Sequence, residues 1–286
     1  MRSTFPSENV GIYTRNKQTR SAYALRFSMP LQIQDRDISI LQEIAACRFL
    51  SMNQIADLCF GGNREAARKR LQKLVRAGIL DAMRIGMRSS VFQMTSRVSA
   101  LRPIRKEFGQ TRQKTAISFA SLDHELAIRD FRAALIRDAM KNRIVVYEFS
   151  IESHQLAFKV NGFVIRPDGF FQVGLDDRAF RFFFEVDTGA EPLHVLSKRL
   201  CGYRSYNRSK THRLHRKSLH QNSAFRVLFI FKTERRCNSA LKYFRDAGFN
   251  HFVLCSTWEK AFARPWDSRW SFPTGTAGNP EPHLIA

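Results

Sequence analysis

Three carboxylates stand at strand spacing in a chain whose formal net charge is +22, with 47 Lys and Arg against 25 Asp and Glu. Asp168 follows Pro167, and Glu185-Val186-Asp187 runs into Thr188-Gly189. Side chains alternate along a strand, so Glu185 and Asp187 are expected on one face. Asp168 is expected beside them on a neighbouring strand. Converging carboxylates repel unless a cation sits between them, and oxygen ligands at this density suit Mg²⁺ or Mn²⁺. A dense acidic spot in a basic chain points to a metal-dependent phosphodiesterase: cations hold the nucleic acid and carboxylates hold the metal.

Those residues need a sheet to place them. Residues 163–171 read as one strand entering a tight turn, and Arg181–Asp187 as the next strand of a hairpin. Further strands are expected at 143–151, 156–166, 169–175, 225–231 and 251–255. Helices are expected at 121–140, 191–207 and 234–247. That order predicts an α+β domain over 116–265, a mixed sheet flanked by helices. The 25 Phe and the 44% apolar content are enough to fill its core.

A second pattern precedes it. Ile38, Leu41, Ile44 and Ala45 repeat at helical spacing after Asp35 or Asp37, either of which can cap. Ser51 is placed to cap a second helix, and Gly61-Gly62-Asn63 interrupts the chain. A third helix is expected over 64–77, with Ala67, Leu71, Leu74 and Val75 inward and Gly78 as its stop. Short strands at 79–85 and 90–95 complete the order of a winged helix-turn-helix over 35–98. Its third helix would enter the major groove with Arg64, Arg68, Lys69 and Lys73, and the hairpin tip would add Arg84 and Arg88. Residues 1–34 read as a basic flexible arm, 99–115 as a basic linker and 266–286 as a loose tail.

From Pro192 to Thr233 there is no acid and there are ten Lys or Arg. Arg204, Arg208, Lys210 and Arg213 lie in this stretch with Tyr203 and Tyr206, a combination suited to phosphate pairing and base stacking. His212 and His215 fall in the same segment and are expected as phosphate neighbours. The five cysteines (47, 59, 201, 237, 255) are scattered, form no C-x-x-C pair and fit a reducing, cytoplasmic setting. No apolar run approaches membrane-spanning length, and the N-terminus has no secretory h-region. The chain has no G-x-x-x-x-G-K-[ST], so ATP use is not expected.

Pro167-Asp168 and Glu185-Val186-Asp187 resemble the motif of the PD-(D/E)xK nuclease superfamily. Together with Asp123-His124-Glu125 opening a helix, Arg166-Pro167-Asp168, the run Glu185–Glu191 and a basic helix bearing Tyr203, they resemble the bacterial replication-relaxation family over about residues 35–260. That family overlaps the MobC-type plasmid relaxases. The resemblance implies a restriction-endonuclease-like domain that nicks duplex DNA at an origin of transfer or replication. Its partners would be double-stranded DNA, single-stranded DNA at a nick and accessory mobilisation proteins. Asp168, Glu185 and Asp187 would hold the metal, with Glu125 completing the shell.

The motif keeps a lysine two residues after Glu185, where this chain has Asp187. Lys198 or Arg199, on the following helix, would fill that role. Helical geometry puts Arg199 at the edge of the packed stripe of Leu193, Leu196, Leu200 and Tyr203, and Lys198 opposite it. Arg stabilises charge but does not easily serve as a base. His124 is expected as a capping residue or, alternatively, as a base. Tyr203 or Tyr206 as covalent nucleophile is a weaker reading. The alternative function is a non-catalytic DNA-binding regulator of replication or transcription with an inactive nuclease-like domain.

Overall fold

Local capping signals divide the N-terminal region into three helices. A computed structural model describes residues 31–84, 90–96, 98, 121–151, 156–175, 178–209, 225–249, 252–266 and 270–273. Helix α1 (Asp35–Cys47) opens with a capping box between Gln34 and Asp37, and its apolar stripe buries Ile40, Leu41 and Ile44. Strand β1 (Leu50–Ser51) leads directly into α2 (Met52–Cys59). Ser51 caps α2 through a reciprocal box with Gln54, which satisfies two backbone donors. After Gly61 and Gly62, both at positive φ, α3 (Arg64–Arg76) starts on an Asn63 cap. It ends where Gly78 takes φ 70°, with Gly78 N–H donating to Val75 and Ile79 N–H to Leu74. That is a Schellman stop, which needs a left-handed residue and therefore favours glycine. Strands β2 (Leu80–Met83) and β3 (Val91–Met94) are antiparallel, and β1 adds to the other edge of β3.

The second region is a five-stranded mixed sheet. Strands β4 (Val145–Ser150), β7 (Gly169–Leu175) and β8 (Arg178–Asp187) are antiparallel neighbours. Strands β9 (Phe225–Phe231) and β10 (Val253–Thr257) continue from β8 in parallel. The order across the sheet is therefore β10-β9-β8-β7-β4. Alternation along β8 fills both faces. Phe182, Phe184 and Val186 pack with Phe131 and Leu135 of α4 (Leu122–Lys141) and with Trp266 and Trp270. Phe183 packs on the other side with α5 (Leu193–Ser209) and α6 (Glu234–Asp246). A short α7 (Trp258–Ala263) follows β10 and packs on the α4 side.

The expected continuous strand over 163–171 is broken. Strand β6 (Phe163–Ile165) pairs with β5 (Phe158–Val160) around Asn161 and Gly162, so residues 156–166 form a separate hairpin rather than one strand. Arg166-Pro167-Asp168 then connects to β7, and Pro167 has no N–H with which to extend a ladder. Gly169 is required at the start of β7, because a Cβ there would lie 2.1 Å from the Phe184 ring and 2.9 Å from Ser150 O. This break sets Asp168 just outside the sheet, opposite Glu185. No described helix is long and apolar enough to cross a membrane.

Candidate functional site

The C-terminal end of β8 and the connection before β7 meet in a cavity of about 270 Å³. Asp168, Glu185, Asp187, His124, Glu191 and Arg199 line it. Asp168 Oδ2 accepts from Val186 N–H at 2.7 Å and lies 3.0 Å from His124 Nε2. The backbone bond clamps the carboxylate against β8, next to Glu185.

Glu185 is 1% exposed. Tyr203 OH donates to its Oε1 at 2.6 Å, and Arg199 Nη1 donates to its Oε2 at 2.7 Å. Burial and the negative charge of Asp168 push the Glu185 carboxyl up to about 8, against the opposing pull of Arg199 and Tyr203. Arg199 also donates through Nη2 to both oxygens of Glu191, at 2.9 and 3.1 Å. Its guanidinium therefore bridges a buried acid and a surface acid at the cavity mouth. Burial works against the His124 cation, but the hydrogen bond and charge of Asp168 outweigh it and raise the imidazole above its ordinary value.

The structure separates the expected site residues. Asp168, Glu185, His124 and Arg199 come together. Asp187 reaches the same cavity, but both its oxygens face Arg236 of α6, which donates through Nε at 2.9 Å and Nη2 at 3.3 Å. It is an anchor between β8 and α6 rather than a third ligand in this arrangement. Glu125 does not line the cavity; it accepts from Arg129 at 2.8 Å. Lys198 is exposed and also absent from the lining. His124 is not a cap, because Ser121 precedes α4 and the imidazole is turned to Asp168.

Arg236 was invisible to motif reasoning as a member of this cluster, and Glu191 was part of the motif run but had no role assigned to it. Glu191 ends the run that begins at Glu185, and that continuity was its one sequence signal. Arg236 lies 49 positions from Asp187 in a helix with no distinguishing local pattern.

Tyr203 and Tyr206, expected to stack on bases, belong to the core instead. They continue the stripe of Leu196 and Leu200 along α5 and are 0% and 3% exposed. Tyr206 stacks on Phe158 with ring centroids 3.9 Å apart. Base stacking needs an open ring face, which neither has. Burial and the neighbouring Glu185 push the Tyr203 phenol up, which keeps it a hydrogen-bond donor and disfavours a nucleophilic role.

The outer face of α3 carries Arg64, Arg68, Lys69 and Lys73, all exposed, and Gln72 and Arg76 lie exposed among them. Arg68 makes a side-on pair with Glu65 at 2.9 and 2.7 Å. Arg70 turns inward instead and pairs with the buried Asp37. Arg84 is exposed at the end of the β2 region, whereas Arg88 lies outside the described residues. Arg208 is exposed; Arg204 is half-buried with its guanidinium 4.5 Å from the Phe249 ring centre. Lys210, Arg213, His212 and His215 lie outside the described residues.

An α+β protein with a carboxylate cavity inside a strongly basic chain is the class that fold and site define. More narrowly, the sequence model of the replication-relaxation family matches residues 41–247, and the chain belongs to that family. No curated protein matches it. Among solved structures it is similar to the restriction endonuclease FokI at 12% identity and a TM-score of 0.33, over 82% of this chain and 44% of that one. FokI bound to DNA is similar at 15% identity and a TM-score of 0.27, over 82% and 45%. The chain spans less than half the length of these structures.

Whether the cavity suits a divalent cation is decided by its oxygens. Among the described residues, no group of three or more His, Cys, Asp or Glu is arranged to hold a metal. Asp168 and Glu185 share the cavity, and the charge of the first opposes ionisation of the second. Mg²⁺ commonly takes one or two carboxylates and fills its remaining positions with water and substrate phosphate.

Proposed function

We propose that the chain is a Mg²⁺- or Mn²⁺-dependent DNA nickase of a plasmid or mobile element, of the MobC relaxase type, acting at an origin of transfer or replication. The observation that carries this reading is the meeting of Asp168, buried Glu185 and Arg199 in one cavity of a +22 chain. Asp168 and Glu185 would hold the metal, which when bound lowers the pKa of water and offsets charge developing on phosphorus. Tyr203 fixes the Glu185 carboxylate from behind and Val186 N–H fixes Asp168. Arg199, the cation in the cavity that follows the motif, pairs with the scissile phosphate and stabilises its added charge. His124 contacts the same oxygen of Asp168 that Val186 N–H holds.

The N-terminal helices and hairpin are proposed to be a winged helix. Its support is the order of three helices and an antiparallel pair, the glycine turn between α2 and α3, and the exposed cations of α3. Duplex DNA is the partner that such a face would hold through phosphate neutralisation.

The test is nicking of supercoiled DNA that carries the intergenic region beside the coding sequence. Asp168→Ala and Glu185→Ala are expected to abolish Mg²⁺- or Mn²⁺-dependent nicking while still shifting the DNA in a gel. One observation favours a non-catalytic DNA-binding regulator instead. Asp187 stands where the nuclease motif keeps lysine, and exposed Lys198 does not replace it in the cavity. Binding of that DNA without any metal-dependent cleavage would favour the regulator.

A further inference from the structure

Helix α4 belongs to both halves of the molecule. One side of it carries Ala127, Phe131 and Leu135 into the core of the five-stranded sheet. The other side grips the N-terminal helices through side chains that are themselves deeply placed. Arg129 is 2% exposed. Its Nε donates to Cys47 O and Phe49 O at 3.0 Å each, and its Nη2 donates to Cys47 O at 2.7 Å. Its guanidinium lies 4.0 Å from the centre of the Phe49 ring, and Glu125 holds it from the next turn at 2.8 Å.

The captured carbonyls flank Arg48, whose φ of 67° ends α1 in a conformation rare for a side-chain-bearing residue. The fork of Arg129 thus fixes the one strained joint between α1 and β1.

Four more polar contacts act in other directions. Arg132 pairs with Glu43 of α1. Gln54 of α2 donates to Asp130 at 2.7 Å and to Leu126 O at 3.2 Å. Arg137 pairs with Asp57 of α2 at 3.2 Å. Phe49, Val91 and Leu122 close an apolar seam between them. Contacts spread over α1, β1 and α2 leave no single axis about which the N-terminal helices can turn. One turn before Arg129, the same helix sends His124 to Asp168 in the cavity.

We infer that Arg129 is a positioning residue that locks the N-terminal helices to the cavity as a rigid ruler, so that DNA reaches the cavity at a constant distance from the base pairs engaged by α3. This rests on the proposed role of α3 in DNA binding, but the rigidity itself is measurable without DNA. A full-length chain with Cys59 and Cys201 replaced by Ser is spin-labelled at Gln72→Cys on α3 and Thr188→Cys at the cavity rim. Pulsed EPR is expected to give one narrow distance, unchanged when duplex DNA is added. Arg129→Lys keeps the charge and loses the fork, so the distribution is expected to broaden while thermal unfolding stays cooperative.

A broad or two-peaked distance in the parent chain overturns the ruler, and an Arg129→Lys distance as narrow as the parent's overturns the role of Arg129. On DNA, insertion of base pairs between the α3 footprint and the nick is expected to leave the nick at its original spacing from the footprint. A nick that instead follows the displaced sequence also overturns the ruler. A narrow distance in a chain that fails to bind DNA leaves the rigid mount standing and removes the proposed role of α3.

Discussion

Charge is handled in opposite ways at the cavity and on α3. Around the cavity every acid has a protein partner: His124 for Asp168, Arg199 and Tyr203 for Glu185, Arg236 for Asp187, and Arg199 for Glu191. On α3 the cations Arg64, Lys73 and Arg76 face solvent, and Glu65 is the single acid among them. The difference follows from solvation. A buried charge is costly unless it is paired, whereas an exposed lysine is already hydrated. The first region can be preorganised for chemistry at one point. The second can exchange counterions for phosphates along a surface without rearranging the fold.

Buried pairs are the costliest to break. Arg236→Ala leaves Asp187 unpaired at 4% side-chain exposure and should cost roughly 3 kcal/mol of stability, read from chemical denaturation. A loss under about 0.5 kcal/mol would place Asp187 with the solvated surface charges. Tyr203→Phe leaves an oxygen of the buried Glu185 carboxyl without its donor and should cost about 1–3 kcal/mol by the same measurement.

Glu185 gives the cavity a pH signature. Its folded-state pKa, about 8, lies above its ordinary 4.5, so between those values the folded state binds more protons than the unfolded state. This group's contribution to stability is therefore full below pH 4.5 and falls as pH rises toward about 8. Glu185→Gln should flatten that decline in a melting-temperature series, and an unchanged slope would remove Glu185 as its source.

Smallest in stability is the effect on α3. Lys73→Ala should leave unfolding within about 0.5 kcal/mol of the parent. It should lower the slope of log affinity against log salt by about 0.9 for each phosphate that Lys73 neutralises. An unaltered slope would take Lys73 off the DNA face.

The same contrast explains what could be read in advance. Helix α3, its Asn63 start and its Gly78 stop depend on residues a few positions apart, and the exposed basic face follows from 100° per residue. Glu185 and Asp187 were placed on one face by simple alternation. Their fates then diverged because Arg236 and Tyr203 arrive from distant helices, and no local pattern encodes those meetings. Tyr203 carried two incompatible readings, a packed stripe residue and a base-stacking residue. Helical spacing with Leu196 and Leu200 decided for the stripe. The strand expected at 163–171 failed at Pro167 and at Gly169, where a close approach of Phe184 governs the backbone. The interlocking of α4 with α1 and α2 rests on Arg129, Asp130, Arg132 and Arg137, which within their own helix look like any charged residues.

DNA cleavage is the role proposed for the Asp168–Glu185 cavity. The most direct measurement compares parent, Asp168→Ala and Glu185→Ala chains on supercoiled DNA bearing the adjacent intergenic region, with and without Mg²⁺ or Mn²⁺. Metal-dependent nicking is expected from the parent alone, with all three chains still bound to the DNA. Nicking at the parental rate by both variants, or a parent that binds this DNA and never cuts it, would contradict that role.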